Sequence, residues 1–271
     1  MTGALEFIVE YHIATSGWYY REWKGAFYPD DLPSPRWFNH YAQQFNTVEL
    51  NAPFYRLPQL TTVKNWKRNA PENFHYSVKV NRAITHDKRF QGTQNLIREF
   101  YQIADALGPK LGCFLFQLPP NFEFTPAQLE LILSQLDPAC RNVLEFRHAS
   151  WWTPEVFAAL KAHQIIFCSV SAPKLPNDLI VTADDIYVRF HGPKRWFYDP
   201  YSEEELTAWS AKISNCKAKV AWIYFNNTAD GSAIANALAL KEKLAGCSKD
   251  DQSLVRNAIS RQAEFGLRPD L

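Results

Sequence analysis

Eight short apolar segments recur along the chain, and helical patterns separate most of them. They read as strands over 12–18, 47–55, 74–80, 111–119, 142–148, 165–171, 185–192 and 219–227. Between them the periodicity predicts helices over 34–45, 61–69, 93–107, 126–136, 154–163, 202–214 and 229–245. Ser34 and Pro35 suit the first as N-cap and N1, Gly108-Pro109 stops the third, and three glutamates after Ser202 complement the dipole of the sixth. Strand–helix alternation forces parallel pairing through crossovers, and eight such units close a sheet without edges. The expected architecture is therefore α/β, a single (β/α)8 TIM barrel over residues 1–271. A doubly wound open sheet is the alternative, weakened because no GxGxxG follows the first strand. Between strands six and seven, "APKLPNDLIVTAD" is broken by prolines, so that helix should be short or missing. Residues 248–271 suit a last helix packed outside the barrel.

Composition narrows the function classes. The formal net charge of +1 provides no global field for nucleic acid or an anionic surface, so any anion preference must be local. Five cysteines, widely spaced and without CxxC, fit reduced thiols in a reducing compartment rather than a disulfide frame or zinc cluster. The N-terminal stretch lacks a basic region before its apolar residues, and no apolar run approaches the roughly 20 residues of a membrane helix. A soluble, cytoplasmic protein with no membrane partner is expected.

Side chains alternate between the two faces of a strand. In "VLEFRH", Leu144 and Phe146 suit the face under the helices, which turns Glu145 and Arg147 inward. The same alternation turns Glu49 and Asn51, Lys79, Gln117, Arg189 and His191, and Asn226 inward. An unpaired charge beneath the helices would cost several kcal/mol, so the charges are assigned to a solvated rim at the C-terminal strand ends, where barrels carry their chemistry. Glu49, Glu145 and His191 are the candidate proton-transfer residues. Lys79, Arg147 and Arg189 are the candidate anion holders, giving three cations against two carboxylates. Mutual salt-bridging explains any single pair equally well, but it explains a convergence from five strands less readily.

The remaining candidate ligand contacts come from loops and strand ends: Trp18, Tyr55, His148, Lys194, Arg195 and Asn227. "HGPKRWFYDPY" mixes basic and aromatic groups in a way that suits an anionic ligand with a flat portion, or a lid that merely packs down. The helix start after "NNTADGSA", with Thr228 as cap, lies where many barrels bind phosphate. Lys79, beside other cations, suits a base or Schiff-base amine as well as an anion holder, and the latter is preferred here. No HxH or HExxH spacing and no cofactor motif is present, so no cofactor is predicted. A divalent metal gathered from Glu49, Glu145, His148, His191, His86 and Asp87 is the remaining alternative.

The stretches "TSGWYYREWKGAFYP", "YAQQFNTVELNAPFY", "FQLPPNF", "EFRHASWW", "YVRFHG" and "YFNNT", in this order, resemble the DUF72 (YecE-like) family. The resemblance spans nearly the whole chain. It implies a TIM barrel and supplies no reaction. The expectation drawn from the residues is an enzyme doing hydrolytic or related acid–base chemistry on a small or nucleotide-like anionic or phosphorylated substrate. A nucleic-acid-binding or endonuclease-like barrel and a non-catalytic anion-binding protein are the rivals.

Overall fold

The computed structural model describes residues 9–246. Eight parallel strands follow one another in space: β1 (Glu10–Thr15), β2 (Thr47–Leu50), β3 (His75–Lys79), β4 (Leu111–Gln117), β5 (Asn142–Glu145), β6 (Ile166–Ser171), β7 (Asp185–Phe190) and β8 (Val220–Phe225). β8 pairs with β1 along its length, and a bridge between Ser16 and Glu49 brings β1 back to β2. The result is the nearly closed barrel expected from the alternation. The proposed final helix over 248–271 lies outside the described residues.

The helices are α1 (Trp37–Gln44), the single turn α2 (Ala52–Tyr55), α3 (Leu60–Asn69), α4 (Gln94–Leu107), α5 (Pro126–Leu133), α6 (Pro154–Ala162), α7 (Glu203–Ser214) and α8 (232–246). Their starts follow from local chemistry. Thr125 and Thr153 each accept a backbone N–H ahead of a proline-led first turn, and Ser202 with Glu205 forms a reciprocal capping box. α4 buries Ile97, Phe100, Ile103 and Leu107, a stripe at helical spacing, and ends at Gly108.

Between β6 and β7 no helix forms. The Thr182 hydroxyl instead accepts from Phe167 N at 2.8 Å and donates to Ile165 O at 2.6 Å, and Ile180 N donates to Ser169 Oγ at 2.9 Å. Side-chain hydroxyls thus tie this proline-broken connection along β6. Several strands end earlier than expected. β2 stops at Leu50 because Pro53 begins the turn of α2, and β5 stops at Glu145, ahead of the turn that His148 caps.

The barrel interior departs from the bulky apolar layers usual in this architecture. At its N-terminal end, His12 stacks on Trp222 with ring centroids 4.1 Å apart and meets His75 edge-on. Gly112 of β4 faces the same indole, and a Cβ there would lie 2.8 Å from it. One level up, the Tyr224 hydroxyl bridges Thr47 at 2.7 Å and Ser77 at 2.9 Å.

Burial is the main cause pushing His12 down to about 4. Glu10 Oε1 lies 3.0 Å from its Nε2, but Glu10 is mostly exposed, so solvent screens its charge and burial prevails. The unfolded chain therefore binds a proton that folded His12 refuses. Stability from this group is complete above about pH 6.5 and is lost as pH falls toward 4. We expect His12 to account for roughly 2–3 kcal/mol of the stability difference between pH 7 and 4.5. Urea unfolding of wild type and His12→Phe at both pH values checks this; an equal pH dependence in the two proteins would contradict it.

Candidate functional site

At the C-terminal ends of the strands the inward positions form one connected network. Arg189, on β7, lies between two carboxylates: its Nη2 donates to Glu49 Oε1 and its Nη1 to Glu145 Oε2, each at 2.6 Å. Glu49 Oε1 also accepts from Ser16 Oγ, and its Oε2 accepts from the Tyr187 hydroxyl at 2.7 Å. Ser16 Oγ in turn accepts from Asn51 Nδ2 at 2.8 Å. Arg147 Nε donates to Glu145 Oε1, the atom that His191 Nε2 approaches at 3.1 Å. Asn226 Nδ2 lies 3.1 Å from His191 Nδ1, while Nε2 faces both Glu145 Oε1 and the donor Arg147 Nη2, the latter at 3.2 Å.

The alternation argument is correct in direction and wrong in depth. The expected inward residues do converge, but Glu49, Glu145 and His191 are 0% exposed and Arg189 1%, so they sit below the rim rather than on it. Burial of these charges is tolerated because each finds its opposite. Two glutamates balance two arginines, and neither arginine is left over to hold a ligand in the way the sequence suggested.

Electrostatics redistributes the roles further. Burial works against the charge of Glu145, but Arg147 and Arg189 outweigh it and hold the carboxyl well below the usual range. Burial likewise opposes the Arg189 charge, and Glu145 and Glu49 raise its pKa regardless. His191 is pushed well below an ordinary imidazole by burial and then by Arg147 and Arg189. Glu145 therefore stays ionised and His191 neutral around neutral pH, so neither suits proton exchange there.

Lys79, at the end of β3, is different. Among the described residues it forms no ion pair, and its Nζ lies 4.1 Å from the ring centre of Phe54 on α2. Burial first, and Arg189 second, push it down to about 7. It remains only partly enclosed. Edge-on to Phe54, with ring centroids 5.0 Å apart, stands His86, itself pushed down to about 4 by burial and then by Lys79 and Arg82.

The loop after β7 covers the network. Trp196 lies with its ring 4.4 Å from the Arg147 guanidinium and 5.1 Å from the His191 ring. The indole is thus a roof over the ion pairs, the packed-down role that the sequence left open for this loop.

Other expected contacts lie elsewhere. Trp18 turns onto Phe38 of α1, 5.2 Å between ring centroids, because its neighbours on that side are aromatic. Tyr55 is 73% exposed. His148 Nδ1 is occupied by Ser150 as the cap of the following turn. Arg195 is taken by Asp199, and Lys194 is exposed. Asn227 Nδ2 donates to Asp199 O and Asn236 Oδ1, fastening loop to helix. Gln117 sits in register with Glu145 but donates to Leu118 O. After β8, where a phosphate position was expected, Asp230 Oδ1 accepts from Ser232 N at 3.0 Å, so one amide at the start of α8 has a side-chain partner.

Three residues missed as site members, Ser16, Tyr187 and Trp196, contact the network directly. Ser16 and Tyr187 were legible by extending the alternation, through His12 and Ala14 to Ser16 and back two residues from Arg189. Nothing in the sequence placed Trp196 over Arg147. Among the described residues no three His, Cys, Asp or Glu side chains gather to hold a metal ion.

The family model described as "Protein of unknown function DUF72" matches residues 12–258. The chain belongs to the DUF72 family. It is 26% identical over 270 residues to the UPF0759 protein YunF of Bacillus subtilis, covering 86% of this chain and 94% of YunF. YecE of Escherichia coli K12 is 29% identical over 142 residues, 49% of this chain and 50% of YecE. A DUF72 family crystal structure from Thermotoga maritima superimposes with a TM-score of 0.80 at 29% identity, covering 87% of this chain and 99% of that one. One from Enterococcus faecalis has a TM-score of 0.75 at 22% identity, covering 87% and 95%, which supports the fold alone. DUF72 membership agrees with the resemblance read from the motifs and, like it, names no reaction.

Proposed function

We propose that this DUF72 protein is an enzyme carrying out hydrolytic or related acid–base chemistry on a small anionic substrate at the C-terminal end of the barrel. Lys79 exchanges the proton and is the charge beside the matched arginine–glutamate network that is left for a substrate anion. The observation that carries this reading is the isolation of Lys79, an amine that has no ion-pair partner among the described residues and stands beside a network of matched charges. A proton-transfer group works best with a pKa near the operating pH, and about 7 meets that condition. Glu49 and Glu145 act by fixing Arg189 and Arg147 in place, so that the floor of the site is rigid beneath Lys79. His191, held between Asn226 and Glu145, positions the same carboxylate.

An anion beside Lys79 would draw it into its charged form and complete the charge balance. Phosphate is therefore expected to raise the melting temperature by roughly 5–10 °C at about 100 times its Kd. Lys79→Met should abolish most of that rise while folding normally, because no ion pair is broken. An equal rise in both proteins would remove Lys79 from the site. Anion binding with no turnover across a substrate screen would favour the non-catalytic rival. A DNA-dependent, salt-sensitive shift without a phosphate response would favour the nucleic-acid rival.

No helix among the described residues is long and apolar enough to cross a membrane. Among the described residues Cys113, Cys140, Cys168 and Cys216 form no disulfide, which supports placing the protein in the reducing cytoplasm.

A further inference from the structure

We infer that Lys79 acts covalently, as the amine that forms an imine with a small substrate carrying both a carbonyl and an anionic group, such as a 2-oxo acid. The inference rests on the acid–base reading above and names its substrate class. It is carried by geometry. A lysine held in an ion pair must break that pair and shed a proton before it can attack a carbonyl; Lys79 has no such pair to break among the described residues. Its nitrogen stands over the face of Phe54, on the partly open side of β3, at the strand end where barrels place reacting groups.

The charged groups felt by Lys79 come from every side. Arg189 on β7 and Arg147 after β5 disfavour its protonation, Glu145 on β5 and Glu49 on β2 favour it, and His86 after β3 is neutral near pH 7. Burial and Arg189 push Lys79 down to about 7, while the Phe54 ring face beside its nitrogen favours the charged form. Desolvation and a neighbouring cation are the two conditions that activate a lysine nucleophile.

The step closes without a co-reactant. The nitrogen lone pair attacks the carbonyl carbon, and the C=O π pair moves to oxygen. That oxygen takes one of the two N–H protons, giving a carbinolamine. The second N–H proton then goes to the same oxygen, the C–O bond breaks, and water leaves as C=N forms. The substrate's anionic group remains beside the cationic carbon–nitrogen unit whenever the imine is protonated.

Asn51 Oδ1, an acceptor, and Arg189 Nε, a donor, are buried without a hydrogen-bond partner among the described residues. Neither is needed for the ion-pair network, which is already complete through the other atoms of those side chains.

The experiment uses the full chain with glyoxylate as probe, reduced by cyanoborohydride at pH 7.5, followed by peptide mapping. An exposed lysine with a pKa of about 10.4 is almost wholly charged at that pH, so Lys79 should be modified at least about tenfold faster than the other lysines. Trapping at Lys79 should fall as the pH is lowered through about 7 and should be suppressed by phosphate. Modification spread over surface lysines with Lys79 spared would overturn the inference. The wild-type map gives this answer directly, so the result does not depend on a variant that folds; Lys79→Arg serves as the blank. If Lys79 is spared while phosphate still stabilises the wild type but not Lys79→Met, the imine falls and the acid–base reading stands. If both responses are missing, both fall.

Discussion

Arg189→Met is expected to destabilise the protein by at least about 3–5 kcal/mol, because it takes from the fully buried Glu49 its ion-pair partner and from Glu145 one of its two arginines. Removing one partner of a buried pair is costlier than the pair was ever worth, since the remaining charge has neither water nor a counter-charge. Arg147→Met should cost less, about 1.5–3 kcal/mol, the scale of one hydrogen bond to a charged group, since Glu145 keeps Arg189 and His191. Chemical denaturation of the two variants side by side checks the order. Equal costs would mean that Arg189 does not bridge Glu49 and Glu145. The double replacement of Glu49 and Arg189 by Gln and Met should recover part of the loss, because it removes a charge of each sign.

Gly192→Ala is expected to be the most damaging small substitution in the loops. Gly192 has φ +108°, and a Cβ there would lie 2.0 Å from the carbonyl oxygen of Tyr198 and 2.4 Å from that of Arg195. Those are backbone atoms and cannot swing aside. The backbone conformation alone costs about 1–3 kcal/mol for a residue with a side chain. Relieving the overlap must also open the turn that the Phe197 N–H closes on His191 O at 2.6 Å, and it must disturb the bond from Gly192 N to the Tyr201 hydroxyl. Trp196 would then leave its position over Arg147 and His191. The expected outcome is a melting temperature lowered by several degrees together with rapid proteolysis after Lys194 or Arg195. Wild-type stability and protease resistance would contradict this description of the loop.

The barrel was legible because its signals are local and repeated. Apolar strand segments, helix starts such as Ser202 with Glu205, and proline breaks between β6 and β7 each act within a few residues. The inward facing of Glu145, Arg147 and Arg189 was legible for the same reason, as alternation needs only Leu144, Phe146, Val188 and Phe190 as references. What the alternation cannot give is height within the barrel and the identity of the partner across it. Glu49 and Arg189 are 140 positions apart in sequence, and only the stagger of β2 against β7 decides that they meet below the rim. Three cations and two carboxylates therefore looked like an excess of positive charge available to a ligand. In the folded chain the two arginines are used up, and the surplus falls on one lysine. Loop residues were the least legible. Arg195 and Lys194 looked like a pair of anion contacts, but Asp199, four residues after Arg195, takes that guanidinium at 2.6 Å.

The reversal of roles between Lys79 and the residues around Glu145 is the centre of this account, and the titration of Lys79 tests it most directly. Carbon-13 labelling of the lysine side chains, with the Lys79 signal assigned by its absence in Lys79→Arg, allows its chemical shift to be followed from pH 5 to 11. A midpoint near 7 is the predicted result. A midpoint at the ordinary lysine value of about 10.4 would mean that Lys79 is a fully charged, solvated cation, and would contradict its role as the group that exchanges the proton.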